Sequence, residues 1–436
     1  MKKTLLFIFF LKSHLFLFAQ HIWHVKFDAT GSNTGLNWPD AFNDLQSALQ
    51  IAHYGDDIWV AAGTYKPTTN DNRSISFDLP VGVRLAGGFA GTETLFGERD
   101  METNTTILSG DIGSANLWED NSYHVVRVYG GDTLTVLDGF KIEQGRADVN
   151  ITLSPIPFGG GILVMADLER PLSVPVIQNC LLERNQAYFG GGIGCYGYYY
   201  QEHIAAPRIK NCKFQSNLGL AYGGGFYKQG NCEPARPLLI ENCEFLNNYC
   251  FNSGGGIAIV DANGRVILNN NTFVSDSAFL AGGGVFLRTT LNMEYTVSNC
   301  KFLYNFAGSE GSSISHRHLS GNPTFNIKNS FLSFNVAPGD LGGAISFISG
   351  AYKAHQRISI ENCRLEHNEK SGLYISEQSD TSDVRIDRCF FLDNKPVTTP
   401  DTFQTYGGGY QYYATTPESE HRCIITNSVF AFNAGA

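Results

Sequence analysis

The sequence predicts an all-β chain: a right-handed single-stranded parallel β-helix, a three-sheet solenoid, with a short N-terminal amphipathic capping helix. Three observations predict it: a repeat of about 31 residues, aligned columns within the repeat, and a Gly-rich step after most copies. Nine copies are anchored on Cys180, Cys212, Cys243, Asn271, Cys300, Ser330, Cys363, Cys389 and Ser428. Three positions before each anchor stands an aliphatic residue, from Ile177 to Ile425. The residue just before the anchor is Asn in every copy except at Arg388. Two positions after it comes Leu or Phe, as in Phe214, Phe245, Phe273 and Phe302. Five after it comes Asn, replaced once by Asp276. Steps such as Gly190-Gly191-Gly192-Ile193 and Gly342-Gly343-Ala344-Ile345 punctuate the copies.

In chain order, residues 1–19 read as a secretory signal peptide: Lys2 and Lys3, an apolar run to Phe18 interrupted by Lys12 and His14, and a small Ala19. Residues 20–129 read as a cap and the first, irregular coils. Phe42, Leu45, Leu49 and Ala52 share one helical stripe, with Asp40 as the expected N-cap. Such a helix would cover the open edge of the first rung. Strands are expected at Ile58–Tyr65, Val83–Phe89, Thr106–Ser109, His124–Val128 and Thr135–Ile142. Regular coils then fill residues 130–436. Stretches such as Arg208-Ile209-Lys210-Asn211-Cys212-Lys213-Phe214 have strand period and are too short and Gly-punctuated for helical repeats. Coils stacked at about 4.8 Å turn each sequence column into a ladder. Asn suits the bends because it tolerates left-handed backbone and its amide can bond between rungs. The last copy stops three residues after Asn433, before its Gly step, so a truncated chain is expected.

Phe214-Gln215-Ser216-Asn217 and Phe302-Leu303-Tyr304-Asn305, together with Gly342-Gly343-Ala344-Ile345, resemble the F-x-x-N and G-G-[AIV] elements of polymorphic outer-membrane protein repeats. More broadly, residues 130–433 look like secreted right-handed β-helix proteins of Gram-negative bacteria with the pectate-lyase-like fold. The resemblance implies a secreted or cell-surface, outer-membrane-associated location. It also raises polysaccharide lyase or glycoside hydrolase activity as the alternative function.

Composition narrows the partners. Thirty-one Lys and Arg against 41 Asp and Glu give a net charge of −10, which offers nucleic acid no electrostatic support. After the leader, no stretch approaches 18 uninterrupted apolar residues, so no transmembrane span is expected in the mature chain. A monomer is expected. Six of the ten cysteines fall in the anchor column and read as buried thiols rather than staples; a loop bridge between Cys232 and Cys250 stays open.

Catalytic signals are weak. Arg208-Ile209-Lys210 matches a short polygalacturonase signature, but its partner motifs are absent and Ile209 is explained by its inward column. His316-Arg317-His318, the one dense basic cluster, reads as a solvated bend. No acidic loop has calcium-site spacing, so no cofactor is expected; calcium enters only with the lyase alternative. The tyrosines are the better candidates. Tyr196, Tyr198, Tyr199 and Tyr200 follow one Gly step, and Tyr406, Tyr410, Tyr412 and Tyr413 flank another. Exposed rings can stack on sugar faces, so these eight form the expected glycan platform. The function expected is an exported, surface-associated, non-catalytic adhesin-like or glycan-binding protein, its partner a polysaccharide or cell-surface glycan.

Overall fold

Three long parallel sheets run the length of the molecule, each coil giving one strand to each sheet. The computed structural model describes residues 20–151, 154–197, 203–233, 235–261, 263–339, 341–350, 355–377, 381–395, 408–414 and 420–433. Among these, sheet one has 13 strands, from Ile22–Val25 to Glu420–Thr426. Sheet two has 12, from Gly63–Tyr65 to Val429–Ala431, and sheet three has 11, from Phe77–Leu79 to Tyr410–Ala414. Every long-sheet pairing is parallel, and the chain forms a right-handed β-helix solenoid. A fourth sheet of six short strands, Arg146–Ala147 to Phe306–Ala307, forms a flank beside sheet two.

The sequence columns are ladders in space. Phe214, Phe245, Phe273 and Phe302 stack with ring centroids 4.5, 4.8 and 4.7 Å apart and planes within 10°. Phe391 and Phe430 repeat the arrangement at 4.5 Å. With Ile177, Ile209, Ile240 and their equivalents up to Ile386, the phenylalanines up to Phe391 fill one continuous interior core, while Ile425 and Phe430 on the last described rung are exposed.

The anchor column does more than pack. Each Cys or Ser anchor turns back on the carbonyl two residues earlier, as Cys180 on Gln178, Cys212 on Lys210, Ser330 on Lys328 and Ser428 on Thr426, while Asn271 donates to the Ile240 carbonyl of the rung before. Anchors also accept from the amide of the preceding rung, as Ser330 does from Cys300 and Asn271 from Cys243. Any small side chain able to hydrogen-bond serves there, which is why Ser and Asn replace Cys. All ten cysteines are free thiols. Cys232 lies in the solenoid core, while Cys250 sits on the flank and bonds the Ala221 carbonyl, so the bridge left open between them is not present.

Three local expectations are corrected in the first coils. The helix α1, Leu45–Ile51, is capped by Asp44, whose carboxylate accepts from the amides of Gln46 and Ser47. Asp40 is engaged elsewhere, accepting from Ser32 and Asn37 in the preceding loop. Leu45, Ala48 and Leu49 are buried, so α1 does cover the first coil. The stretch expected as one strand at Thr135–Ile142 is two, Val136–Asp138 and Lys141–Glu143, because Gly139 at φ 79° turns the chain between sheets. Ile58–Tyr65 divides in the same way, into Asp57–Ala61 and Gly63–Tyr65.

Candidate functional site

The described tyrosines of the expected platform lie on sheet three, and the register disperses them. Met165, Tyr196, Gln229, Val260, Arg288, Arg317, Ile348, Ser376 and Tyr413 form one outward column. Tyr196 and Tyr413 are thus seven rungs apart. Tyr196 is buried in a second apolar cluster, with Phe158 at 4.9 Å, because the flank folds over this part of the column. Tyr410 and Tyr412 pair with Leu373 and Ile375 and turn inward against the core. Tyr413 is exposed. Tyr198, Tyr199, Tyr200 and Tyr406 lie outside the described residues. The four described tyrosines therefore form no common platform.

His316-Arg317-His318 is not a solvated bend. It lies in the strand Ile314–His318, and both imidazoles are fully buried. The reason is register: His316 sits between Leu287 and Phe347, and His318 between Thr289 and Ser349, in inward columns. His316 Nε2 shares a hydrogen bond with Thr289 Oγ1, which in turn meets Tyr295 Oη, each at 3.0 Å. Burial holds the His316 imidazole well below its ordinary pKa, so it stays neutral. Arg317 faces outward and is paired with Glu310. The two imidazoles belong to an interior polar network.

A charged cleft of about 550 Å³ lies between α1 and the first rungs of sheet three. Arg127 there is bidentate on Asp78. Arg170 lies 4.5 Å over the Tyr129 ring and donates to the Tyr129 carbonyl. Tyr129 Oη donates to Asp167 at 2.6 Å, and that bond pushes its pKa up to about 12. Arg127 and Asp78 answer each other, while Asp167 and Arg170 are both held by Tyr129. Among the described residues no group of three His, Cys, Asp or Glu side chains could hold a metal ion.

The surface with an unanswered demand is the flank. Tyr249, Phe251, Phe279, Tyr304, Phe306 and Phe334 are 36 to 63% exposed there. Two columns place four of them. In the flank sheet, Leu218, Tyr249, Ser277 and Phe306 are successive partners. At the bend that follows sheet two, Tyr304 and Phe334 hold left-handed backbone, φ 57° and 55°, and their rings stack at 5.3 Å. His367 extends that stack at 5.0 Å. A bulky residue in left-handed backbone costs on the order of 1–2 kcal/mol, so these rings are not there for ease of folding. Sequence reading missed them because each belongs to a different copy; the one available signal was large aromatics at positions where other copies carry Ser or Asn.

Comparison with known proteins agrees with the architecture. Residues 115–310 match the family model described as a right-handed β-helix region. No curated protein matches the chain. Among solved structures, pectate lyase Pel9A is 13% identical, with a TM-score of 0.43 over 78% of this chain and 76% of its own. A rhamnogalacturonan lyase is 12% identical, with a TM-score of 0.36 over 92% and 86%. The catalytic unit of a thermostable GH87 α-1,3-glucanase from Streptomyces thermodiastaticus strain HF3-3 is 11% identical, with a TM-score of 0.30 over 90% and 66%. Likeness at this level carries no argument about activity.

Proposed function

We propose that this is an exported, surface-associated β-helix protein that binds a glycan through its flank without cleaving it, in the manner of an adhesin. One observation carries the reading: six large aromatic side chains stand exposed along four successive coils, two of them in backbone that disfavours them. Contiguous exposed apolar surface of this kind marks a binding site. Sugar rings suit it, since their C–H faces stack on aromatic rings while their hydroxyls stay hydrated. The leader-like residues 1–19 support export. The charged groups of the sheet-three cleft, each answered by a partner, favour binding over acid–base chemistry. No cofactor is invoked.

The test is a glycan array with the parent protein and a Phe251→Ala/Phe279→Ala variant, run beside a degradation assay on a polysaccharide panel with and without calcium. The reading expects binding that the double variant loses and no release of cleaved product. Product release dependent on the protein would replace it with the lyase or hydrolase alternative.

A further inference from the structure

The ring-bearing strip has a polar end. There the loop carrying the single turn Trp118–Asp120 helps wall a cleft of about 530 Å³ lined by Trp118, Glu119, Arg146, Arg184, Gln186 and Ser216. Register makes cleft and rings one surface. Arg184 and Ser216 occupy the same left-handed bend position as Tyr304 and Phe334, at φ 52° and 54°. Arg146, Gln186 and Leu218 are the flank-sheet rungs that lead on to Tyr249 and Phe306. From Arg184 to Phe334 is five rungs, roughly 24 Å at about 4.8 Å per rung.

The chemistry of the cleft differs from that of the rings. The Trp118 indole is 38% exposed and offers a flat apolar face. Around it stand donors, the guanidiniums of Arg146 and Arg184, and acceptors, the Glu119 carboxylate and the Gln186 amide oxygen. The guanidiniums are held in place: Arg146 by Asp148 at 3.0 Å and Glu119 at 3.4 Å, Arg184 by Glu143 at 3.2 Å. Because carboxylates answer both cations, the cleft presents paired donors and acceptors rather than net positive charge. Vicinal hydroxyls of an uncharged sugar match that pairing; an anionic group would have to displace a carboxylate from its arginine.

We propose that this cleft is a binding site for a neutral hexopyranose unit, its C–H face on Trp118, from which the glycan chain runs along the solenoid axis over the rings from Tyr249 to Phe334. The proposal rests on the glycan-binding reading above and adds the sugar class, the anchoring site and the direction of the chain.

The test uses the full chain with neutral oligosaccharides, glucan, mannan and galactan series from disaccharide to octasaccharide, beside a galacturonan series, by calorimetry and tryptophan fluorescence. Short neutral oligosaccharides should bind and change the emission of Trp118. Trp118→Ala should weaken them by about ten-fold or more, Arg184→Gln should weaken them too, and Trp118→Phe should retain most of the affinity. Phe279→Ala should affect only the longer members. If Trp118→Ala and Arg184→Gln bind every length as the parent does while Phe279→Ala does not, the cleft assignment fails and the glycan reading stands. If the galacturonan series binds better through Arg184, the sugar class is wrong. If neither the series nor the array shows binding, the glycan reading fails with it.

Discussion

Each regular coil has two bends of the same backbone conformation, and they divide the labour differently. At the first, after sheet one, nine left-handed residues from Asn179 to Asn427 have φ between 50° and 56°, and all but Arg388 are Asn. Their amides ladder on the surface, Asn211 to Asn179 and Asn270 to Asn242 among them. At the second, after sheet two, the left-handed residues are Arg184, Ser216, Asn247, Ser275, Tyr304, Phe334, His367, Asp393 and Phe432, at φ 51° to 57°. No residue type prevails there. One position later, the buried column Asn185, Asn217, Asn248, Asp276, Asn305, Asn335, Asn368 and Asn394 fixes the turn instead. Each Asn side chain of this column donates to a carbonyl of the rung before and to the side-chain oxygen of the rung after, as Asn217 does to Leu182 and Asn248, and Asn248 to Phe214 and the Asp276 carboxyl. Moving the structural task inward by one residue frees the left-handed side chain to face solvent, and the rings of Tyr304 and Phe334 occupy that freedom.

The sharpest way to break this comparison is to remove one amide from each bend. Asn305→Ala strips the partners of the Phe273 carbonyl and the Asp276 amide, both buried. At about 1–3 kcal/mol for each of the two groups left unpaired, the loss should be roughly 2–6 kcal/mol. Asn299→Ala removes an exposed ladder contact and puts Ala in left-handed backbone, so it should cost about 1–2 kcal/mol. Urea unfolding followed by circular dichroism reads both. Equal losses would show that the two bends carry the same load.

Asp276 sharpens the comparison with the opposite sign. Its Oδ1 accepts from the Asn248 amide and side chain, but its Oδ2 is buried with no partner, where every other rung has a donating nitrogen. Burial therefore raises its pKa well above the ordinary 3.8. The folded chain keeps this proton while the unfolded chain releases it from about pH 4 upward, so this carboxyl's contribution to stability is fullest at low pH. It then falls, at up to about 1.4 kcal/mol per unit, until the folded carboxyl also ionises. Asp276→Asn restores the missing donor. The variant should be more stable by about 1–3 kcal/mol at neutral pH, with a smaller gain near pH 4 and a flatter stability–pH profile. A variant no more stable than the parent at both pH values would show that the site needs no donor.

What the sequence disclosed follows from the same division. The first bend was legible because left-handed backbone and an amide ladder both select Asn, and the Phe column because a core rung admits little else. The second bend was hidden because its left-handed residues share no chemistry. So was the flank sheet, whose buried column of Ala147, Ala187, Gly219, Cys250, Ala278 and Ala307 is only small. Local clusters misled for a related reason. Tyr410, Tyr412 and Tyr413 are neighbours in sequence, but strand alternation turns the first two inward and the third out. His316 and His318 look solvated until the register places them between apolar and hydroxyl-bearing rungs. The ring-bearing strip draws one or two rings from each of several copies, so no contiguous motif announces it.

The smallest effect on stability should come within the ring-bearing strip itself. Tyr304→Asn relieves left-handed strain that Asn tolerates, and gives up a ring contact with Phe334 worth about 0.5–1.5 kcal/mol. These terms oppose each other, so the unfolding midpoint should barely move, within about 1 kcal/mol of stability. The same variant opens a gap in the ring-bearing strip and should weaken binding of glycans long enough to reach it. The reverse exchange at the first bend, Asn299→Tyr, gains no such relief: it keeps the left-handed cost and removes a donor to Asn269 and an acceptor for Asn329. If Tyr304→Asn unfolds as readily as Asn299→Tyr, the ring belongs to the scaffold and the flank loses its claim as the binding surface.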